Sequence, residues 1–125
     1  MKTIHTAKAP EAIGPYSQAI VHGGLLFTSG QIAINPASGQ VEADTIEGQT
    51  EQVMQNLAAL LEEAGASFDS VIKTTCFLSD MADFAAFNAI YGAYFVSKPA
   101  RSCVAVKTLP KNVLCEVEVI AVQKA

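Results

Sequence analysis

The segment 114–122, Leu-Cys-Glu-Val-Glu-Val-Ile-Ala-Val, constrains the fold more than any other stretch of this chain. Its β-branched content predicts a strand. By the two-residue repeat, Cys115, Val117, Val119 and Ala121 share one face, while Leu114, Glu116, Glu118, Ile120 and Val122 share the other. Both faces are largely apolar, so the strand is predicted to be covered on both sides. Two carboxylates lie on one of them, and carboxylates rarely stay buried unless paired or used.

Turn signals punctuate the rest: His22-Gly23-Gly24, Asn35-Pro36-Ala37-Ser38-Gly39 and Leu109-Pro110-Lys111-Asn112. Residues 18–21 and 25–29, on either side of the first, read as a hairpin. A helix is predicted from Asp44, where Asp44 and Glu47 have capping-box spacing. Ile46, Val53, Met54, Leu57, Leu60, Leu61 and Ala64 make its apolar stripe, and Gly65 is its stop. A strand over Val71–Leu78 follows. A second helix begins near Met81, presents Phe84, Phe87, Ile90, Tyr91, Tyr94 and Phe95 inward, and ends by Pro99. Two last strands, about 101–107 and 113–122, are joined by the Pro110 turn.

The order ββαβαββ fits an α+β fold, with both helices on one face of a mixed sheet, better than a doubly wound layout. The helices can cover only one face. A neighbouring chain is the natural cover for the other.

With 125 residues and no linker or repeat, the chain reads as a single domain over residues 1–125. Half of it is apolar and only 16% is charged, which excludes disorder. A net charge of −4 without a Lys/Arg cluster argues against nucleic acid as the main ligand. No apolar run approaches the ~18 residues of a membrane span, and the start lacks a signal-peptide core. Cys76, Cys103 and Cys115, at spacings of 27 and 12, form neither a disulfide framework nor a metal motif. Free thiols fit a reducing compartment, so a soluble cytoplasmic protein is expected.

Familiar sites are missing from the sequence. His5 and His22 lack ligand spacing, and there is no G-x-G-x-x-G, Walker lysine or G-x-S-x-G elbow. Neither metal nor cofactor is expected. Cys103 has no histidine nearby in sequence to activate it as a nucleophile. What remains is a set of polar residues in apolar surroundings. Arg101, in Pro99-Ala100-Arg101-Ser102-Cys103, offers a planar fork for a carboxylate or else an ion pair for Glu116 or Glu118. Glu116, expected to reach the same side of the sheet as Arg101 and Cys103, can hold a water and shuttle its proton; Glu118 is its rival. Tyr16, after a Gly-Pro turn, lines a pocket or plugs a core. Ser29-Gly30 allows close backbone approach at a strand end, or makes a bend.

Together, Ile13-Gly14-Pro15-Tyr16, Thr28-Ser29-Gly30-Gln31-Ile32, Pro99-Ala100-Arg101-Ser102-Cys103-Val104 and Glu116-Val117-Glu118-Val119-Ile120-Ala121 resemble the Rid (YjgF-type) reactive imine/enamine deaminase family, in the family's order and over nearly the whole chain. The resemblance implies a chorismate-mutase-like fold, assembled as a homotrimer with a site at each subunit interface. It also implies hydrolysis of 2-imino acids such as 2-iminobutanoate and 2-iminopropanoate, in equilibrium with their enamines, to 2-oxo acids and ammonia. By matching position, Arg101 would hold the substrate carboxylate, with Cys103 contributing backbone contacts and Ser102 between them. Glu116 would position water, Tyr16, Ser29 and Gly30 would line the pocket, and Asn88 resembles a further pocket position. The segment 91–99 is shorter than in many members, and Cys115 stands where a larger apolar residue is common. A reading from another class keeps the arginine but no turnover: a trimeric protein that senses a small carboxylate.

Overall fold

A computed structural model describes residues 1–124. Its centre is a six-stranded sheet of β1 (Lys2–Ile4), β2 (Ala19–His22), β3 (Leu25–Thr28), β6 (Val71–Leu78), β7 (Ala100–Ala105) and β8 (Cys115–Val122). The spatial order is β1-β2-β3-β8-β6-β7, and only the β6–β7 pair is parallel. A two-stranded ribbon, β4 (Ile34–Asn35) and β5 (Gln40–Val41), lies apart from it. The helices are α1 (Ile46–Glu63) and α2 (Phe84–Tyr94).

Local chemistry accounts for most boundaries. Gly23 and Gly24 both have positive φ, 60° and 79°, as a two-residue turn matched to strand twist requires. Helix α1 starts one residue later than the Asp44–Glu47 spacing predicts. Thr45 is the cap, its Oγ1 accepting from the Gly48 N–H at 3.1 Å, because Thr45 has the extended backbone that aims a side chain at the first turn. Asp80 caps a turn of 3₁₀ helix before α2, accepting at Oδ1 from the Ala82 N–H at 2.8 Å.

The core lies between the sheet and the two helices. From the sheet come Leu26, Cys76, Leu78, Cys115, Val117, Val119 and Ala121; from α1, Val53, Met54, Leu57 and Leu61; from α2, Phe87 and Tyr91. Phe95 stacks on Tyr91 at 4.4 Å and meets Phe68 edge-on at 5.1 Å. The aromatic face read from the sequence is therefore the packing face of α2.

The last two strands are sequential in the chain but not adjacent in the sheet. Strand β6 lies between β7 and β8, pairing parallel with the first and antiparallel with the second. Away from the helices, the sheet exposes Phe27, Val104 and Val122 around a polar strip in which Lys73 Nζ donates to Ser102 Oγ at 3.2 Å.

Candidate functional site

Residues paired across a sheet point to the same face, so register decides which side chains can meet. Arg101 is paired with Thr74, which is fully buried against α2 and lies 2.7 Å from the Tyr91 hydroxyl. Arg101 therefore emerges on the helix side. Its guanidinium carbon sits 4.7 Å from the Tyr91 ring centre and 5.4 Å from that of Phe84. One nitrogen, Nη1, donates to Asn88 Oδ1 at 2.6 Å. A cation over two aromatic faces, with one hydrogen bond fixing its rotation, is oriented before any ligand arrives. It forms no ion pair: among the described residues the one cation–carboxylate contact is His5 with Glu11, on the surface. Asn88, Tyr91, Phe95, Lys98 and Pro99 join Arg101 around a cavity of about 550 Å³.

Cys103 faces the same side, in register with Cys76. Burial pushes its thiol upward despite the opposing pull of Arg101. Burial likewise pushes Cys76 up to about 12 and Cys115 up to about 11. None of the three has the lowered pKa of an activated nucleophile.

Glu116 is paired with Phe77 and Glu118 with Thr75, both on the sheet face away from the helices. The expectation that Glu116 reaches the Arg101 side is not met. The two residues have opposite parity, and β6 separates their strands. Ser102 also points away from Arg101, by alternation along β7, toward Lys73.

A second group forms around Glu116. Gln31 and Val117 exchange backbone hydrogen bonds at 2.8 and 3.1 Å, which lays Ser29-Gly30-Gln31 along the start of β8. The Glu116 carboxyl lies over Gly30, where a Cβ would fall 2.7 Å from its Cδ. Ser29 Oγ donates to the Ser17 carbonyl at 2.6 Å, tying the strand end to the loop that carries Tyr16. Tyr16, Ser29, Gly30, Glu116, Glu118 and Lys111 border a cavity of about 500 Å³. Burial, then the neighbouring Glu118 charge, raises the Glu116 carboxyl above the usual carboxylate range. A half-buried carboxyl whose affinity for a proton is raised in this way is suited to proton transfer.

One chain thus carries two separate polar clusters. Arg101 and Asn88 can grip an anion on the helix side; Glu116 with Tyr16, Ser29 and Gly30 can move protons on the other. Cys103 and Ser102 border neither cavity. Sequence reasoning placed Tyr91 only in the core and passed over Lys98 and Lys111. The three-residue spacing of Asn88 and Tyr91 on one helix was the available sign that both face the same neighbour.

The profile of the endoribonuclease L-PSP family matches residues 6–123. AldR of Lactococcus lactis, named as a candidate regulator, is 57% identical over 126 residues, covering 100% of both chains. The 2-iminobutanoate/2-iminopropanoate deaminase of Escherichia coli K12 is 47% identical over 127 residues, covering 98% of each. The crystal structure of E. coli TdcF with bound serine superposes with a TM-score of 0.93 at 42% identity, over 99% of this chain and 100% of that one. The two-helix mixed sheet is the chorismate-mutase-like fold of these structural relatives.

Proposed function

Since the chain belongs to the endoribonuclease L-PSP family, whose members include YjgF-type proteins named as deaminases, we propose that it hydrolyses small 2-imino acids, such as 2-iminobutanoate and 2-iminopropanoate, to 2-oxo acids. The observation that carries this reading is the Arg101 guanidinium: braced by Asn88 and Tyr91, open to a cavity, and paired with no carboxylate of its own chain among the described residues. A cation held in that way suits a 2-imino acid carboxylate, which accepts two parallel hydrogen bonds from such a fork.

The chemistry needs little else. A protonated imine is electrophilic at carbon. Water adds there, giving up a proton to Glu116; that proton returns to nitrogen, the C–N bond of the tetrahedral adduct breaks as its hydroxyl becomes the carbonyl, and the hydroxyl proton passes to the departing ammonia. The sum is iminium plus water giving ketone plus ammonium. The raised affinity of Glu116 for a proton suits both transfers, an effect typically worth ~10²–10⁴ in rate. Gly30 lets the carboxyl approach the backbone, and the Ser29–Ser17 bond holds the Tyr16 loop at the pocket mouth.

The opposite placement of the two clusters supports a second element of the proposal. A homotrimer would bring Arg101 of one subunit to Glu116 of the next, using the sheet face left open by the helices. No helix among the described residues is long and apolar enough to cross a membrane. With three free thiols, we place the activity in the cytoplasm.

The decisive experiment couples a dehydratase that releases 2-iminobutanoate to detection of the 2-oxo acid. Arg101→Ala and Glu116→Gln should each lose the acceleration over buffer. Mixed and reassembled at equal amounts, they should recover up to about a quarter of wild-type activity, because random assembly restores sites whose arginine and glutamate come from different chains. Wild-type rates in both single variants would refute the deaminase. Inactive variants that never complement would refute the shared site. If wild type binds a 2-oxo acid but accelerates nothing, the carboxylate-sensing reading replaces this one.

A further inference from the structure

A threonine stands in the middle of the core, where valine would fill the same shape. Thr74 is fully buried on β6, between its register partners Arg101 on β7 and Val119 on β8. On its own face of the strand it is followed by Cys76 and Leu78, both fully buried. A hydroxyl in such surroundings costs stability unless it is hydrogen-bonded, so its presence calls for a partner. That partner is Tyr91 on α2, whose hydroxyl lies 2.7 Å from Thr74 Oγ1; the Cys76 thiol makes a longer contact to the same oxygen, at 3.9 Å. Tyr91 borders the Arg101 cavity, whereas Thr74 does not.

The bond joins helix to sheet at the level where the guanidinium is held. Tyr91 is anchored at one end by the α2 backbone and at the other by Thr74. Its other aromatic neighbours, Phe95 at 4.4 Å and Phe87 at 5.7 Å, stack or tilt against the ring, contacts that only weakly prefer one position within its plane. The hydroxyl bond therefore sets where the ring comes to rest. A cation is attracted to the face of a ring, so the Arg101 guanidinium, its carbon 4.7 Å from the ring centre, follows Tyr91. Asn88, three residues earlier on the same helix, accepts from Arg101 Nη1 at 2.6 Å. A shift of α2 against the sheet would move the ring and the Asn88 acceptor together. Burial pushes the Tyr91 hydroxyl above its ordinary range, so near neutral pH it stays protonated and the contact stays a neutral hydrogen bond.

We propose that Thr74 is a positioning residue for the carboxylate grip: its bond to Tyr91 fixes the aromatic ring, and the ring fixes the Arg101 guanidinium in the orientation that receives the substrate. The proposal rests on the deaminase reading of this site and adds to it a residue outside the cavity. A guanidinium held in advance loses less freedom when a ligand arrives, so Thr74 acts on affinity. The carboxylate is bound alike in the ground state and the transition state. The signature is therefore a raised KM with kcat little changed.

The test uses Thr74→Val, which keeps the branched shape and removes the bond, and Thr74→Ser, which keeps the hydroxyl. In the dehydratase-coupled assay, Thr74→Val should raise KM for 2-iminobutanoate at least about fivefold with kcat within about twofold of wild type. Calorimetric binding of 2-oxobutanoate should weaken by the same factor. Thr74→Ser should stay within about twofold of wild type in both measurements. Tyr91→Phe breaks the same bond from the other side and should match Thr74→Val, so it carries the test if the valine variant fails to fold. The double variant, Thr74→Val with Tyr91→Phe, separates positioning from stability. It leaves no buried hydroxyl of the pair without a partner, so its Tm should return toward wild type while KM stays raised. Wild-type KM and 2-oxobutanoate affinity in either folded single variant overturn the proposal and leave the deaminase standing. A double variant that regains affinity together with Tm overturns it too. If both single variants lose 2-oxobutanoate affinity but wild type hydrolyses no imine, the deaminase falls and the positioning role stays.

Discussion

Replacing Gly30 by alanine tests the site without touching any group that reacts. Gly30 is not in the left-handed region, so the backbone accepts alanine without conformational strain. The added methyl, however, would stand 2.7 Å from Glu116 Cδ and 3.1 Å from Cγ, against 3.4 Å or more in ordinary contact. The Glu116 carboxyl carbon must therefore retreat by about 0.7 Å, and its nearer oxygen farther still. It can do so, since the cavity beside it is open and the side chain is long, which keeps the stability cost to ~1–3 kcal/mol or less. Catalysis is less forgiving. Displacing a catalytic group by about 1 Å costs ~10²-fold, equivalent to roughly 2.7 kcal/mol of barrier. Gly30→Ala should thus fold, keep a Tm within about 10 °C of wild type, and lose about 10²-fold in kcat for 2-iminobutanoate. The assay is 2-oxobutanoate release in the dehydratase-coupled reaction, with calorimetric binding of 2-oxobutanoate in parallel. Wild-type kcat in a well-folded Gly30→Ala protein would refute the argument that the Glu116 carboxyl must lie against this backbone.

Protonation of Glu116 makes a further prediction with a definite sign. Its folded pKa is raised above the unfolded value, so the fold favours the protonated form, and that contribution to stability is lost as pH rises through the folded pKa. Glu116→Gln should therefore melt at or above wild type near neutral pH, with the difference shrinking in acid; a lower Tm at pH 7 would contradict it. Activity should move oppositely and fall on the acid side as Glu116 becomes protonated, a limb of the pH–kcat profile that sits above the ordinary carboxylate range. Removing the α1 cap by Thr45→Ala should cost about 1 kcal/mol, or roughly 3–4 °C in Tm, whereas Asp44→Ala should cost almost nothing. Equal losses in the two would return the cap to Asp44.

The strand β8 was legible in the sequence because its information is local. The two-residue repeat of Cys115, Val117, Val119 and Ala121 sets the buried face wherever the strand lies in the sheet, and the same holds for the stripe of α1 and the aromatic face of α2. The polar residues around the two cavities also stood out, because polar groups in apolar stretches are few and costly. The capping error at Asp44 shows the limit of spacing alone: it is Thr45, with its extended backbone, whose oxygen meets the Gly48 N–H.

Only the tertiary structure decided which of these residues face one another. Nothing in the sequence says that β6 inserts between β7 and β8, yet that insertion, with the registers of Arg101 to Thr74 and Glu116 to Phe77, sends the cation and the acid to opposite sides of one sheet. Strand order is a long-range choice, set by which edges pair once the helices have covered a face. Register then converts a single residue of offset into a change of side. The same packing, by setting α2 against β7, gives Arg101 its aromatic bed and its bond to Asn88, contacts between residues that no periodicity connects.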